Sequence, residues 1–182
     1  LAAAGLGWFL TGRAVRPLQQ LTETTSSIGN TLDVATGRWR NPNAGIGAGI
    51  DSFYEYLLKS YLVFGRSELY QMWNASYAAV RSHLKRGAWY GEVNMHLAGK
   101  KQATPHFESL QAFWPALQVL AGDVDEGAES FAAFYEIWRR YRVLPERYDL
   151  QRQVVHPHVA AYPLRPELAE SCYALYRATR SD

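Results

Sequence analysis

Cysteine is almost missing from this chain: Cys172 is the one thiol in 182 residues. An internal disulfide and a zinc knuckle are both excluded by that count. Excess charge of either sign is lacking too, with 19 basic side chains against 17 acidic ones. The densest basic stretch, "RSHLKR" (81–86), fits a solvated helix face, so nucleic acid is not an expected partner. No long hydrophobic run occurs. "LAAAGLGWFL" (1–10) is too short to span a membrane and lacks the charged flank of a signal peptide. The chain opens on Leu1 rather than Met, so its true start is expected to lie upstream, where a targeting signal could sit.

What is abundant is apolar and aromatic. Hydrophobic residues make up 48% and aromatics 14%, enough for one domain with a real core. Residues 1–12 form an unmatched apolar stub, and 13–182 the domain. "RAVRPLQQLTETT" (13–25) reads as a helix restarted at Pro17, and "TLDVAT" (31–36) as a short strand in a turn-rich region. Between 52 and 64, Tyr54, Leu57, Leu58, Tyr61 and Leu62 recur at helical spacing. Beyond Gly65, Leu69, Met72, Trp73, Tyr77, Val80 and Leu84 do the same, and the short gap makes the two helices neighbours. "WYGEVNMHLAG" (89–99) is read as a hairpin strand. Residues 107–122 and 125–141 form a second helix pair split near Gly122, with Pro115 kinking or restarting the first. A last helix begins near Pro166. Helix pairs with irregular connectors and few strands predict an all-α domain.

Acidic residues gather at the helix junctions. Ser52 and Glu55 have the spacing of a capping box, which leaves Asp51 unexplained. Glu167 suits the positive end of its helix, and Glu170 shares its face, so the two need a compensating partner. Glu146 follows Pro145 in a loop, where an ordinary surface role is the simplest reading. The glycines of "GIGAGID" (45–51) match no nucleotide fingerprint and are read as a sharp, closely packed turn. If the helix pairs curl into a barrel, Asp51, Glu146 and Glu167 gather at one end. Paired carboxylates beside aromatics are what glycoside hydrolysis requires: one protonates the leaving oxygen and another activates water. The histidines of "VVHPHV" (154–159) are read as loop residues, since no further metal ligands accompany them in sequence. No metal site is expected within the chain.

Five stretches carry a resemblance: "GNTLDVATGRW" (29–39), "GIGAGIDSFYEYLLKSYLVFG" (45–65), "SLQAFWPALQVLAGDV" (109–124), "FYEIWRRYRVLPERYD" (134–149) and "YPLRPELAESCYALYRAT" (162–179). Together they resemble the middle of a family 47 glycoside hydrolase, in the branch of endoplasmic-reticulum degradation-enhancing α-mannosidase-like proteins. The resemblance implies part of an (α/α)7 barrel and an inverting, calcium-dependent α-1,2-mannosidase. It also implies the endoplasmic-reticulum lumen, with high-mannose N-glycans of misfolded glycoproteins as substrate or ligand. By the same resemblance Asp51 matches the catalytic aspartate, Glu146 a glutamate assigned as proton donor, and Glu167 a third catalytic carboxylate. Arg165, Glu170 and Glu55 then line the substrate pocket. Gly49 stands where processing mannosidases tend to carry arginine, and Ala116 replaces a glycine after Pro115. The family's upstream glutamate, its downstream acids and its calcium-binding threonine have no counterpart, so the chain alone is expected to be inactive. A mannose-binding lectin-like module is the alternative, and a protein-binding α-solenoid a third reading. Asn74-Ala75-Ser76 forms an N-glycosylation sequon inside a predicted helix. Cys172 is read as a core residue, with a mixed disulfide to a lumenal oxidoreductase as the second reading.

Overall fold

The computed structural model describes residues 29–33, 35–97 and 105–180. The apolar stub and the helix expected at 13–25 lie outside them. Five α-helices and nine short strands make up the regular structure of the described residues, together with two 3₁₀ segments.

Helix α1 (Asp51–Phe64) buries Tyr54, Leu57 and Leu58 of the stripe its spacing predicts, whereas Tyr61 is half-buried and Leu62, beyond the reach of the core near the helix end, is exposed. It ends at Gly65, whose left-handed backbone turns its N–H onto the Tyr61 carbonyl. Two residues later α2 (Ser67–His83) begins and lays Leu69, Met72, Trp73, Tyr77 and Val80 against α1. The predicted pair therefore forms. The capping box does not: α1 starts at Asp51, Ile50 is its N-cap, and no side chain caps it. Asp51 accepts the Ser52 N–H itself, and Glu55 turns down the helix to pair with Lys59. An i,i+4 cation one turn away competes better for Glu55 than a backbone N–H behind it.

The second predicted pair is shorter at its start. Residues 106–108 are strand β7 (His106–Glu108), and 109–113 form a 3₁₀ segment. Only then does α3 (Trp114–Ala121) begin, with Pro115 in its first turn, where a missing N–H costs nothing. Pro115 thus starts a helix rather than kinking one. Helix α4 (Val124–Tyr141) carries Asp125 and Glu126 in its first turn and Arg139 and Arg140 in its last, matching the helix dipole at both ends. Gly127 brings α4 close to α3: a side chain there would meet the Pro115 carbonyl at 3.0 Å. Helix α5 (Glu167–Thr179) closes against both. Its Ser171 hydroxyl accepts the Ala116 N–H at 3.0 Å and donates to the Ala112 carbonyl at 2.5 Å. Cys172, one residue on, is exposed, which corrects the core reading: Ser171 and Leu175 take the inward face.

The strands are connectors. β1 (Thr31–Asp33) pairs with β2 (Arg38–Asn41), and β3 (Asn43–Ala44) with β6 (Val93–Asn94). β4 (Lys85–Arg86) and β5 (Trp89–Tyr90) make a hairpin around Gly87. The stretch read as one strand at 89–99 is therefore split between two sheets, and a 3₁₀ turn follows at Met95–Leu97. β7, β8 (Arg147–Asp149) and β9 (Val154–Val155) form a three-stranded antiparallel sheet, with Phe107 opposite Tyr148.

One core surrounds Trp114 between α1, α2 and α3, and a second lies under the three-stranded sheet, around Phe107, Phe134 and Ile137. A polar network joins α2 to α4. Glu126 accepts from the Tyr90 hydroxyl at 2.9 Å and Gln118 Nε2 at 3.0 Å, and pairs with Arg81 at 2.9 Å and Lys85 at 3.2 Å. Removing it takes an acceptor from four donors, two of them charged. Glu126→Ala is expected to cost about 1–3 kcal/mol, read as a lowered urea midpoint at unchanged m.

Candidate active site

The loop that delivers Asp51 is clamped from both sides. The Asp51 N–H reaches back to the Gly47 carbonyl at 3.0 Å, so the chain turns within four residues. Gly49 has φ +90°, and any side chain there would collide with Asn30. Asn30 donates its amide to the Ala48 carbonyl at 2.7 Å. On the other side, a Cβ on Gly47 would meet Glu108 at 3.0 Å and Gln111 at 3.2 Å, and one on Gly45 would meet Glu92 at 3.1 Å. The turn read from the glycines is therefore present, and so is the close approach.

Glu146 sits just before β8 and is fully engaged. Arg165 holds it with two nitrogens, Nη2 to Oε1 at 2.7 Å and Nε to Oε2 at 3.1 Å. The Ser109 hydroxyl adds a third donor at 2.6 Å, and the Ser109 N–H binds the Glu146 carbonyl at 3.1 Å. Arg165 and then Ser109 hold this carboxyl below the usual glutamate range against the cost of burial. Glu167 is the opposite case. It opens α5, half-buried, and its Oε2 has no hydrogen-bond partner. Burial raises its pKa, and the charges of Asp51 and Glu170 push the same way, offset in part by its own amide and by Arg165. Asp51 also acts on Arg165, so Asp51, Glu146, Arg165 and Glu167 form one electrostatic group. The solenoid reading, which needs these acids on unrelated faces, falls with that.

One turn along α1 and α5 lie Glu55 and Glu170, joined by Lys59. Its ammonium binds Glu55 closely and Glu170 at 3.4 Å. Burial works against the Lys59 charge, but Glu55 and then Glu170 outweigh it and raise its pKa. Lys59 is thus the compensating cation that the Glu167–Glu170 face lacked in sequence. Glu55, Lys59, Phe113, Leu117, Glu170 and Tyr173 line a groove of about 540 Å³ between α1, α3 and α5.

Sequence reading missed Ser109, Lys59, Glu92, Glu108 and Arg147. Glu108 and Arg147 are opposite one another in the β7–β8 register and pair directly. Glu92 lies against Gly45, and burial, then Glu108, raises its pKa while Arg147 lowers it. No spacing rule marks these residues, because long-range strand pairing assembles them. Lys59 alone carried a signal, as the i+4 partner of Glu55.

The described helices thus pair off around a carboxylate group borne at their junctions. The sequence matches glycosyl hydrolase family 47 over residues 8–182, and the chain belongs to that family. It is similar to alpha-mannosidase I MNS5 of Arabidopsis thaliana, at 46% identity over 168 residues, covering 92% of this chain and 29% of that protein. It is also similar to ER degradation-enhancing alpha-mannosidase-like protein 2 of Homo sapiens, at 40% identity, covering 89% of this chain and 28% of that one. The chain thus spans under a third of the length of these relatives. Alpha-1,2-mannosidase from Trichoderma reesei shares the fold with a TM-score of 0.68 at 20% identity, over 86% of this chain and 39% of that one. The described helices accordingly form part of an (α/α)7 barrel.

Proposed function

We propose that this segment contributes part of the active site of an α-1,2-mannosidase that trims high-mannose N-glycans of misfolded glycoproteins in the endoplasmic-reticulum lumen. The observation that carries the reading is Glu167: a half-buried carboxyl with a bare Oε2, raised pKa and the charge of Asp51 acting on it. Such a group holds its proton to a higher pH than an ordinary glutamate, which suits it to acid–base work. Asp51 and Glu167 then act as the pair around the attacking water, which inversion requires to sit between carboxyls roughly 6.5–9.5 Å apart. Glu146 is held ionised by Arg165 and Ser109. It orients Arg165 and the loop rather than donating the proton, a departure from the role its motif implies. Glu55, Lys59 and Glu170 offer two acceptors and a donor to sugar hydroxyls along the groove.

Family membership is consistent with calcium dependence. Among the described residues no group of three histidine, cysteine or acidic side chains is arranged to hold a metal. No helix among them is long and apolar enough to cross a membrane. Asn74 is exposed on α2 and Ser76 is buried. We place glycan attachment at Asn74 before α2 folds, since the acceptor sequence must be accessible.

The test compares this chain with a polypeptide carrying the complete family 47 domain around it, each incubated with an oligomannose glycan. Mannose release by the complete domain and none by the 182-residue chain is expected. Glycan binding without release by the complete domain would establish the lectin reading instead. Robust trimming by the 182-residue chain would overturn the incomplete-site reading.

A further inference from the structure

The histidines that stood without partners in sequence are gathered by the fold into one cleft of about 400 Å³. His156 and His158 follow β9, and His106 comes from β7. The His106 and His156 rings meet edge to face at 5.6 Å between centroids, and His156 and His158 at 5.9 Å. His156 Nδ1 is buried with no hydrogen-bond partner. Asp149, on β8, stands 4.0 Å from His106 Nε2. Its other oxygen is already taken by the Gln151 and Arg152 N–H groups at 3.0 and 2.9 Å, and the Arg152 Nε lies 3.9 Å away. From β8, Arg147 faces the cluster with its charge shared with Glu108, and from α4, Arg140 holds the Gln153 carbonyl at 3.3 Å. A proton on His156 therefore meets the charges of His106, His158 and Arg147, with Asp149 alone opposing them.

The same segment is tied to the candidate active site by its backbone. The His156 N–H donates to the Arg147 carbonyl at 3.0 Å, and the Ala161 carbonyl accepts the Glu146 N–H at 2.9 Å. These two bonds bracket the start of β8, where Glu146 holds Arg165. We propose that residues 154–161 form a histidine-latched strap, closed on the Glu146–Asp149 strand while His156 is neutral and released from it when His156 takes a proton. Release removes the Ala161 carbonyl from the Glu146 backbone and loosens the Glu146–Arg165 pair. The device rests on the cleft and its backbone bonds and is independent of the glycosidase reading.

The direction of the pH dependence follows from the surroundings of His156. Desolvation first, then the charges of His106, Arg147 and His158, hold its pKa below the ordinary 6.5, with Asp149 opposing. A histidine depressed in the folded chain stabilises the closed strap fully above pH 6.5 and loses that contribution as pH falls through its folded value. Amide hydrogen exchange on the 182-residue chain, corrected for intrinsic rates, tests this between pH 7.5 and 5.5. Protection at His156 and Glu146 is expected to fall, by at most about tenfold over the one pH unit below the ordinary histidine value, while Phe134 and Ile137 in α4 stay protected. His156→Gln is expected to abolish the fall, and His106→Gln to make it shallower. Equal protection at both pH values overturns the proposal, as does a fall that survives in His156→Gln. Loss at Phe134 and Ile137 in step with His156 also overturns it, because the event is then global unfolding. The wild-type comparison of strap with α4 decides even where a variant fails to fold.

Discussion

Glu167→Gln, placed in the complete family 47 domain, is expected to lower mannose release by about 10²–10⁴-fold, the range of a lost general acid or base. Asp51→Asn is expected to fall in the same range, with glycan binding kept in both. The amide in Glu167→Gln preserves size and hydrogen-bonding capacity but cannot exchange a proton, so it removes chemistry and leaves shape. A second readout separates this from simple damage. Burial first, then Asp51 and Glu170, makes the ionised form of Glu167 unfavourable in the folded chain. A carboxyl whose folded pKa is raised contributes most stability below the unfolded value of 4.5, and loses it as pH rises through the folded value. At pH 7 wild type therefore carries that cost and Glu167→Gln does not. Partial exposure screens the effect, so the variant is expected to melt only about 1–2 °C higher at pH 7, and no higher below pH 4.5. A variant that is both inactive and less stable at pH 7 would mark Glu167 as structural.

The largest loss of stability is expected at Trp114. Its ring lies fully buried, 5.6 Å from those of Tyr54 and Tyr90, 5.7 Å from Tyr77 and 5.9 Å from Phe113, most of them edge-on. It is the point where α1, α2, α3 and the β5 strand meet. Trp114→Ala is expected to cost about 3–5 kcal/mol, because the aromatic rings around it cannot all collapse into the space left. Trp114→Phe keeps a ring there and is expected to cost less than half as much. Urea unfolding followed by far-ultraviolet circular dichroism checks both. Tyr54 is one turn from Asp51 and donates its hydroxyl to the Gly45 carbonyl at 3.2 Å. Damage at Trp114 is therefore expected to reach the loop that positions Asp51, and to show as lost protection of the Asp51 amide.

The helices were legible because each must bury a stripe. Tyr54, Leu57 and Leu58, then Leu69, Met72, Trp73, Tyr77 and Val80, carry the 3.6-residue period and sit in the core. Residues 107–113 misled for a local reason. They are apolar enough for a helix, but Phe107 and Glu108 are claimed by pairing with Tyr148 and Arg147, some forty positions away. A backbone hydrogen-bonded into a sheet cannot also start a helix. The capping box failed on similar grounds, with Lys59 competing for Glu55.

By itself the sequence determined the family, the helix stripes, the glycine turn before Asp51 and the junction positions of Asp51, Glu146 and Glu167. Each of these depends on residues close in the chain. Tertiary structure alone decided what each carboxyl is: Glu146 ionised between Arg165 and Ser109, Glu167 raised by burial beside Asp51, Glu170 balanced by Lys59. It also decided that three separate histidines share one cleft. Protonation depends on burial and on charges a few ångströms away, and those neighbours come from distant parts of the chain that only folding brings together.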